Sequence, residues 1–235
     1  MKLPVLDTPT FQVKLVSLSE PLKFRPFTVK EEKVFLIAEE SGDDRDILNA
    51  IRQILQNCCL SDVDVSKLPI FDTELFFLQL RSKSVSNVSN VKYRDLEDNI
   101  TREFDIELDG IKATIDPNHS TTIALSPTIT VSFKYPTIET LMKLESTDKT
   151  EIELVIELLA ECLDSVYDGD ELFPASEYAK EERLEFIDNM SKQNYDVIKE
   201  KFVDLMPKLV HTIKYKNSLG NDREIVLEGF RSFFQ

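Results

Sequence analysis

The sequence predicts an α+β fold: an N-terminal strand pair plus a helical bundle, a central antiparallel β module, then C-terminal helices and a closing β-hairpin. Three observations carry this. Apolar residues recur at helical spacing early in the chain, shift to a period of two between about residues 91 and 135, and return to helical spacing after Pro136. Threonines, prolines and a few glycines stand where elements would start and stop. Hydrophobic residues make up 42% of 235, enough for a packed core.

Residues 10–26 alternate weakly and read as two short strands, 11–18 and 22–25. Pro26 fixes its own φ and pushes Arg25 toward the extended region. Thr28 then sits where an N-cap belongs, with Glu31 three residues on, as in a capping box. The helix that follows, about 29–40, places Val34, Ile37 and Ala38 on its inner face, broadened by Phe35 and Leu36. Ser41-Gly42-Asp43-Asp44 stops it and starts the next, about 45–58, whose stripe of Ile47, Ala50, Ile51, Ile54, Leu55 and Cys58 faces a core. Residues 60–67 form a polar loop. A third helix opens at Pro69 and carries Leu75, Phe76, Phe77 and Leu78 before Arg81.

The texture changes at about Ser82. Residues 82–90 are rich in Ser, Asn and Val and read as a linker or edge. Phe104, Ile106 and Leu108 then alternate with Asp105, Glu107 and Asp109, and Ile129, Val131, Phe133 and Tyr135 alternate again, predicting three or four antiparallel strands. Helices 137–145 and 150–163 are both capped by Thr. Residues 167–174 read as a loop, 176–189 and 191–205 as a helical pair ended by Pro207, and 209–216 with 223–227 as a hairpin. The expected domains are therefore 1–85 (α-rich), 86–136 (β module) and 137–235 (helices plus a hairpin packing on the β module).

Composition narrows the function classes. Lys plus Arg is 28 against 43 Asp plus Glu, a formal charge of −15, which repels phosphate backbones and disfavours nucleic-acid binding. Gly is scarce at 5, against a Gly-rich phosphate loop. Cys58, Cys59 and Cys162, an odd set with one adjacent pair, do not make a disulfide framework and read as buried thiols of a reducing cytosol. No run reaches the roughly 18 apolar residues of a membrane helix, and residues 1–9 hold no apolar signal core, so neither a membrane nor secretion is indicated.

No nucleophile–base set emerges. His119 in a turn and His211 on the last hairpin have no partner implied by spacing, and both read as exposed. Gly-x-Ser-x-Gly, Walker-type, dinucleotide and His-Glu-x-x-His motifs are absent. Asp168-Gly169-Asp170-Glu171 resembles a piece of a calcium loop but lacks the spacing and terminal Glu, and Asp62-Val63-Asp64 is a similar acidic loop. Structural zinc needs two Cys/His pairs. The knuckle-like stretches 93–98 and 215–220 hold no cysteine, so neither a metal nor a cofactor is expected. Phe71, Phe76 and Phe77 read as core. Phe230, Phe233 and Phe234 at the chain end must be covered, either by docking in the fold or by a partner.

Several of these residues share a narrower wording. Leu3-Pro4, Pro9-Thr10-Phe11, Phe24-Arg25-Pro26-Phe27-Thr28-Val29-Lys30-Glu31-Glu32-Lys33, Asn49-Ala50-Ile51-Arg52-Gln53-Ile54, Leu68-Pro69-Ile70-Phe71-Asp72 through Leu80-Arg81, and the closing Leu227-Glu228-Gly229-Phe230 with Phe233-Phe234 resemble the T4-type bacteriophage baseplate hub protein family. The first 85 residues are the specific part. Some members of that family carry Cys-x-x-Cys knuckles in the two hairpin regions. Here Asp, Glu, Lys and Asn stand there instead, so the resemblance implies a β module held by packing.

The resemblance implies a late viral protein of tail baseplate assembly. It would be a hub component or hub assembly factor working by protein–protein binding without catalysis. Its partners would be other phage baseplate hub or tail proteins, with self-association left open. It would act in the host cytoplasm during assembly, and its retention in the tail baseplate is left open. A transient assembly chaperone is one alternative, and a metal-dependent hydrolase built on Asp168, Asp170 and Glu171 is another. Arg25, Phe27, Glu31, Glu32, Lys33, Arg81, Phe230, Phe233 and Phe234 are the candidate partner-binding residues. For the charged ones, an internal salt-bridge network is the competing reading.

Overall fold

The computed structural model describes residues 7–144, 149–229 and 232–233. Among them are small antiparallel sheets and seven α-helices, an α+β architecture with an N-terminal strand pair and a closing hairpin. The chain divides into two compact units, Met1–Thr114 with Lys208–Gln235, and Ile115–Pro207. This division does not follow the expected segments 1–85, 86–136 and 137–235. It cuts through the alternating stretch, because the strands of that stretch pair with different partners.

In the first unit, β1 (Phe11–Val13) and β2 (Leu22–Phe24) form an antiparallel pair in the register Phe11↔Phe24. Helices α1 (Val29–Ser41), α2 (Asp44–Cys58) and α3 (Ile70–Ser84) follow. Gly42, at φ +68°, supplies the left-handed residue that ends α1. Asp43 caps α2 by accepting from Arg45 N at 2.7 Å. β2 is tied to the end of α2, with Arg25 N donating to Cys58 O at 3.0 Å and Leu60 N to Lys23 O at 2.8 Å. The core gathers Leu15, Leu22, Phe24, Ile54, Leu55, Cys58 and Phe76, all buried. Phe24 meets Phe76 edge-on at 5.5 Å, a geometry that adds about 0.5–1.5 kcal/mol beyond burial. Phe71 and Phe77 are also core, as expected.

The segment read as a linker, 82–90, is the end of α3 and the start of a strand. β3 (Val88–Arg94) pairs with β4 (Thr101–Glu107) as a two-stranded hairpin. The short β5 (Ala113–Thr114) is not a neighbour of those strands. It pairs with β10 (Lys208–Lys216), which in turn pairs with β11 (Asp222–Glu228), giving the order β11-β10-β5. Alternation alone does not say which strands pair, and residues almost a hundred apart make this sheet.

In the second unit, β6 (Thr122–Ala124), β7 (Ile129–Phe133), β8 (Leu163–Asp168) and β9 (Glu171–Pro174) form one antiparallel sheet in that order. Residues 167–174, expected as a loop, are largely the β8–β9 hairpin. Gly169 at φ +59° makes the turn. Helices α4 (Ile138–Lys143) and α5 (Glu151–Cys162) connect β7 to β8 and begin at Thr137 and Thr150 as predicted. Helices α6 (Lys180–Asp188) and α7 (Lys192–Ile198) complete the unit, α7 running on as a π-helical turn through Asp204. Val131, Phe133, Leu159, Ile187, Ile198 and Phe202 are among its core residues.

His119 belongs to this core's edge and is not exposed as expected. Its ring stacks on Tyr135 and Phe202 at 5.5 and 5.9 Å. Nδ1 lies 3.0 Å from Lys201 O, and Nε2 lies 2.9 Å from the Tyr135 hydroxyl. The carbonyl requires a proton on Nδ1, so the neutral ring accepts from Tyr135. Burial pushes its pKa below the ordinary value, against the pull of the Lys201 carbonyl and Asp116. This histidine is a satisfied packing residue. No described helix is long and apolar enough to cross a membrane.

Candidate functional site

Three places in the first unit gather unusual chemistry. The first is the elbow between β2 and α1. Thr28 N donates to Glu31 Oε2 at 2.8 Å, and the Thr28 hydroxyl donates to the same carboxylate. Arg25 Nη2 reaches Glu31 Oε1 at 2.9 Å and also Asn57 O at 3.2 Å, while its Nη1 donates to Pro26 O at 2.9 Å. One buried carboxylate thus caps α1 and clamps the strand end to α2. Burial works against its charge, but the bonds from Arg25 and Thr28 prevail and hold its pKa down to about 2.

The second is the outer face of α1. Glu31, Val34, Phe35 and Ala38 turn inward, and Phe35 lies 5.4 Å from Phe77. Ile37 and Leu36, expected on the inner face, point out and are 58% and 49% exposed. With Val29, 80% exposed, they share a stripe at i, i+7 and i+8 that also includes Lys33 and Glu40. The helix is apolar on two sides. Among the described residues, only the side containing Ala38 is covered.

The third is where the tips of the β3–β4 and β10–β11 hairpins meet. The buried Asp95 carboxylate accepts from Glu97 N at 2.9 Å and from the Tyr215 hydroxyl at 2.7 Å, with Arg223 Nε 3.4 Å away. Glu97 accepts from the side-chain amides of Asn217 and Asn221 at 2.6 and 2.7 Å. Asp98 accepts from Ser218 N and Ser218 Oγ, both at 2.9 Å, and receives both guanidinium nitrogens of Arg102. The Arg102 guanidinium also lies over the Tyr215 ring, 5.4 Å from its centre. Arg102 first, then the Ser218 and Ile100 amides, hold Asp98 far below the usual carboxylate range despite its desolvation. The Glu97 amide foremost, with Tyr215 and Arg223, lowers Asp95 against its burial.

The family model described as T4 bacteriophage base plate protein matches residues 8–235. The chain belongs to this family. No curated protein and no solved structure matches it. Membership gives the protein a role at the phage tail baseplate.

In this baseplate protein the two hairpin tips are the knuckle-like stretches singled out in the sequence, brought together from 120 residues apart. Their side chains do not fit zinc. They are carboxylates, amides, two hydroxyls and two guanidinium groups, already engaged with one another, where structural zinc takes thiolates and imidazoles. Among the described residues, no group of three or more His, Cys, Asp or Glu is arranged to hold a metal ion. A polar brace joins the tips. We predict that a chelator leaves the melting temperature of the wild-type protein unchanged, whereas Asp98→Ala lowers it. A fall of several degrees on adding EDTA, read by scanning calorimetry, would show that a metal holds the tips.

The sequence-predicted residues of this baseplate protein fall into separate groups. Arg25 and Glu31 are joined to each other, as in the internal-network reading. Phe27 is half-buried, and its N–H donates to Ser84 Oγ at 3.0 Å. Glu32 and Lys33 are exposed on α1. Arg81 is half-buried on α3; burial lowers its pKa, partly offset by the charges of Glu39 and Glu32. Phe233 is fully buried, and its carbonyl accepts from the Ser89 hydroxyl. Phe230 and Phe234 lie outside the described residues. Asp168, Asp170 and Glu171 are exposed around the β8–β9 turn. Cys58 and Cys162 are buried, and desolvation pushes their thiols up to about 11 and about 12.

Sequence reasoning missed two features here. The apolar outer stripe of α1 was folded into one broad face, although Val29, Leu36 and Ile37 form their own row. The spacing of α3 does not mark Asp72, whose carboxylate accepts from Val16 N and Ser17 N at 2.7 Å each.

Proposed function

We propose that this baseplate protein is a hub component or hub assembly factor. It acts by binding other baseplate proteins rather than by catalysis, in the host cytoplasm where the baseplate is put together. The observation that supports this most is α1. The exposed side of an amphipathic helix is normally polar, yet among the described residues the outer side of α1 leaves Val29, Leu36 and Ile37 to solvent beside its charged residues. Lys33 and Glu40 sit within the row, and Glu32 and Glu39 flank one edge of it within electrostatic reach of Arg81, so the matching surface on a partner is chiefly apolar. The capping box and the Arg25–Glu31 pair fix the direction in which α1 leaves β2, and so pre-orient the face.

The test is capture of other baseplate proteins from infected cells with tagged full-length chain. Burying Leu36 and Ile37 together stabilises a complex by about 3 kcal/mol, roughly a hundredfold in affinity. Leu36→Asp with Ile37→Asp should therefore remove those proteins from the eluate while leaving the melting temperature of the free chain within a few degrees. Undiminished recovery of the same proteins would show that this face is not the binding surface.

A further inference from the structure

The second unit carries a groove that the α1 reading does not use. Two hollows, of about 420 and 510 Å³, share Ile129, Glu182, Glu185 and Phe186 in their walls. Each volume is within the range of ligand pockets, about 300–1,000 Å³. They open between α6 and the sheet strands β7, β8 and β9. The physical origin is local. Helix α6 packs on α5, and Pro174 ends β9, so the sheet surface nearest α6 is left partly uncovered. Ile129, Val166 and Phe173 of the sheet and Phe186 and Tyr178 of the α6 side make an apolar floor. Tyr178 is 40% exposed.

The rim has one sign. Asp168, Glu182 and Glu185 line the hollows. Arg183 is the one basic residue lining them, and its terminal nitrogens turn to its own chain, with Nη1 donating to Ala160 O at 2.8 Å and Nη2 3.6 Å from Glu161, while its buried Nε has no hydrogen-bond partner among the described residues. An apolar floor under a carboxylate rim selects apolar side chains flanked by cations. A second copy of this chain would bring a net charge of −15 to that rim. A nucleic-acid backbone would meet the same repulsion.

The geometry points to a docking groove for a short segment of another protein, one bearing aromatic or aliphatic anchors flanked by lysine or arginine. This goes beyond the α1 surface and involves none of its residues.

The experiment is selection of a displayed library of random 12-residue peptides on the immobilised full-length chain. Affinities of the enriched peptides are then measured by fluorescence anisotropy at low and high salt. The expected result is enrichment of apolar residues next to Lys or Arg, with binding that weakens as salt screens the rim. Asp168→Lys with Glu185→Lys should reduce affinity at least tenfold, and Tyr178→Ala severalfold. Both changes are at exposed positions, and a thermal melt confirms that each variant is folded. Glu182 is left intact because its Oε2 accepts from Ala179 N at the start of α6.

Failure to enrich any peptide would overturn the proposal, as would enrichment without basic residues or binding indifferent to the charge reversal. Self-association of the chain, lost in the charge-reversed variant on sedimentation, would overturn it in favour of a second copy. The Leu36 and Ile37 variant should bind the selected peptides normally, so failure of the α1 reading and failure of this one are separable.

Discussion

Replacing Glu31 with alanine should lower folding stability by about 3 kcal/mol at neutral pH, the low end for removing one partner of a buried ion pair. The low end applies because Arg25 keeps some contact with water, its side chain being 23% exposed against 7% for Glu31. The loss has three parts. Arg25 remains beside Asn57 O and Pro26 O without its counter-charge. Thr28 N loses its acceptor, so the capping box of α1 loses one of its two bonds. The strand end is no longer clamped to α2. Glu31→Gln keeps an acceptor for Thr28 and should cost less than half as much.

The pH dependence gives a sharper test. Glu31 titrates at about 2 when folded and near the ordinary glutamate value of about 4.3 when unfolded. A depressed folded pKa means that the unfolded chain takes up the proton first as pH falls. The contribution is therefore complete above about pH 4.5 and disappears toward pH 2. Urea denaturation of wild type and Glu31→Gln should show a gap at pH 7 that narrows at pH 3. A constant gap would mean that the carboxylate's charge is not what stabilises the elbow. Asp95 and Asp98, also depressed, push stability in the same direction, so acid should weaken the hairpin brace together with the elbow.

The legible parts of this fold were those written locally. Thr28 with Glu31, Asp43, Thr137 and Thr150 each announced a helix start within one residue, because a cap depends on side chains no more than three positions away. Cys58 at helical spacing behind Ile51 and Ile54 announced a buried thiol. What failed depended on distant partners. Strand β5 and strand β7 look alike in alternation, yet one pairs with β10 and the other with β8. The β8–β9 hairpin reads as a loop because Asp168, Gly169 and Asp170 dominate its composition, while its strands gain their place only from pairing with β7. His119 looks like a turn residue until Tyr135 and Phe202 stack on it.

The same logic holds for the surfaces. Exposure of Leu36 and Ile37 could not be read from the sequence, since a broad apolar helix face and two opposite faces use the same residues. Which side is covered depends on where α2 and α3 lie. The groove beside α6 is still less legible, because it is made by what the helix leaves uncovered. By contrast, the hairpin tips could be located, since the resemblance pointed to residues 93–98 and 215–220. Their chemistry could then be argued from the substitution of Asp, Glu and Asn for thiols.

Asp72→Ala should be as costly as the loss of Glu31, about 3 kcal/mol, although nothing in the spacing of α3 marks this residue as special. Asp72 is fully buried in the first turn of α3. Its two oxygens accept from consecutive backbone amides, Val16 N and Ser17 N, each at 2.7 Å. A carboxylate at a helix N-terminus is favoured by the helix dipole, and here it also ends the backbone requirements of a segment 55 residues away. That segment carries Leu15, which is buried. Alanine leaves two amides without their acceptor, and charge-assisted bonds of this kind contribute about 1.5–3 kcal/mol each, partly recovered when the segment turns its amides to water. Asparagine retains one acceptor but sets its own N–H₂ against the second amide, so Asp72→Asn should recover less than half of the loss. Guanidinium denaturation measures both. Hydrogen exchange localises the effect, with Val16 and Ser17 amides exchanging faster while those in the middle of α2 keep their protection. An alanine variant within about 0.5 kcal/mol of wild type would mean that the segment before β2 is held by Leu15 and its apolar neighbours alone.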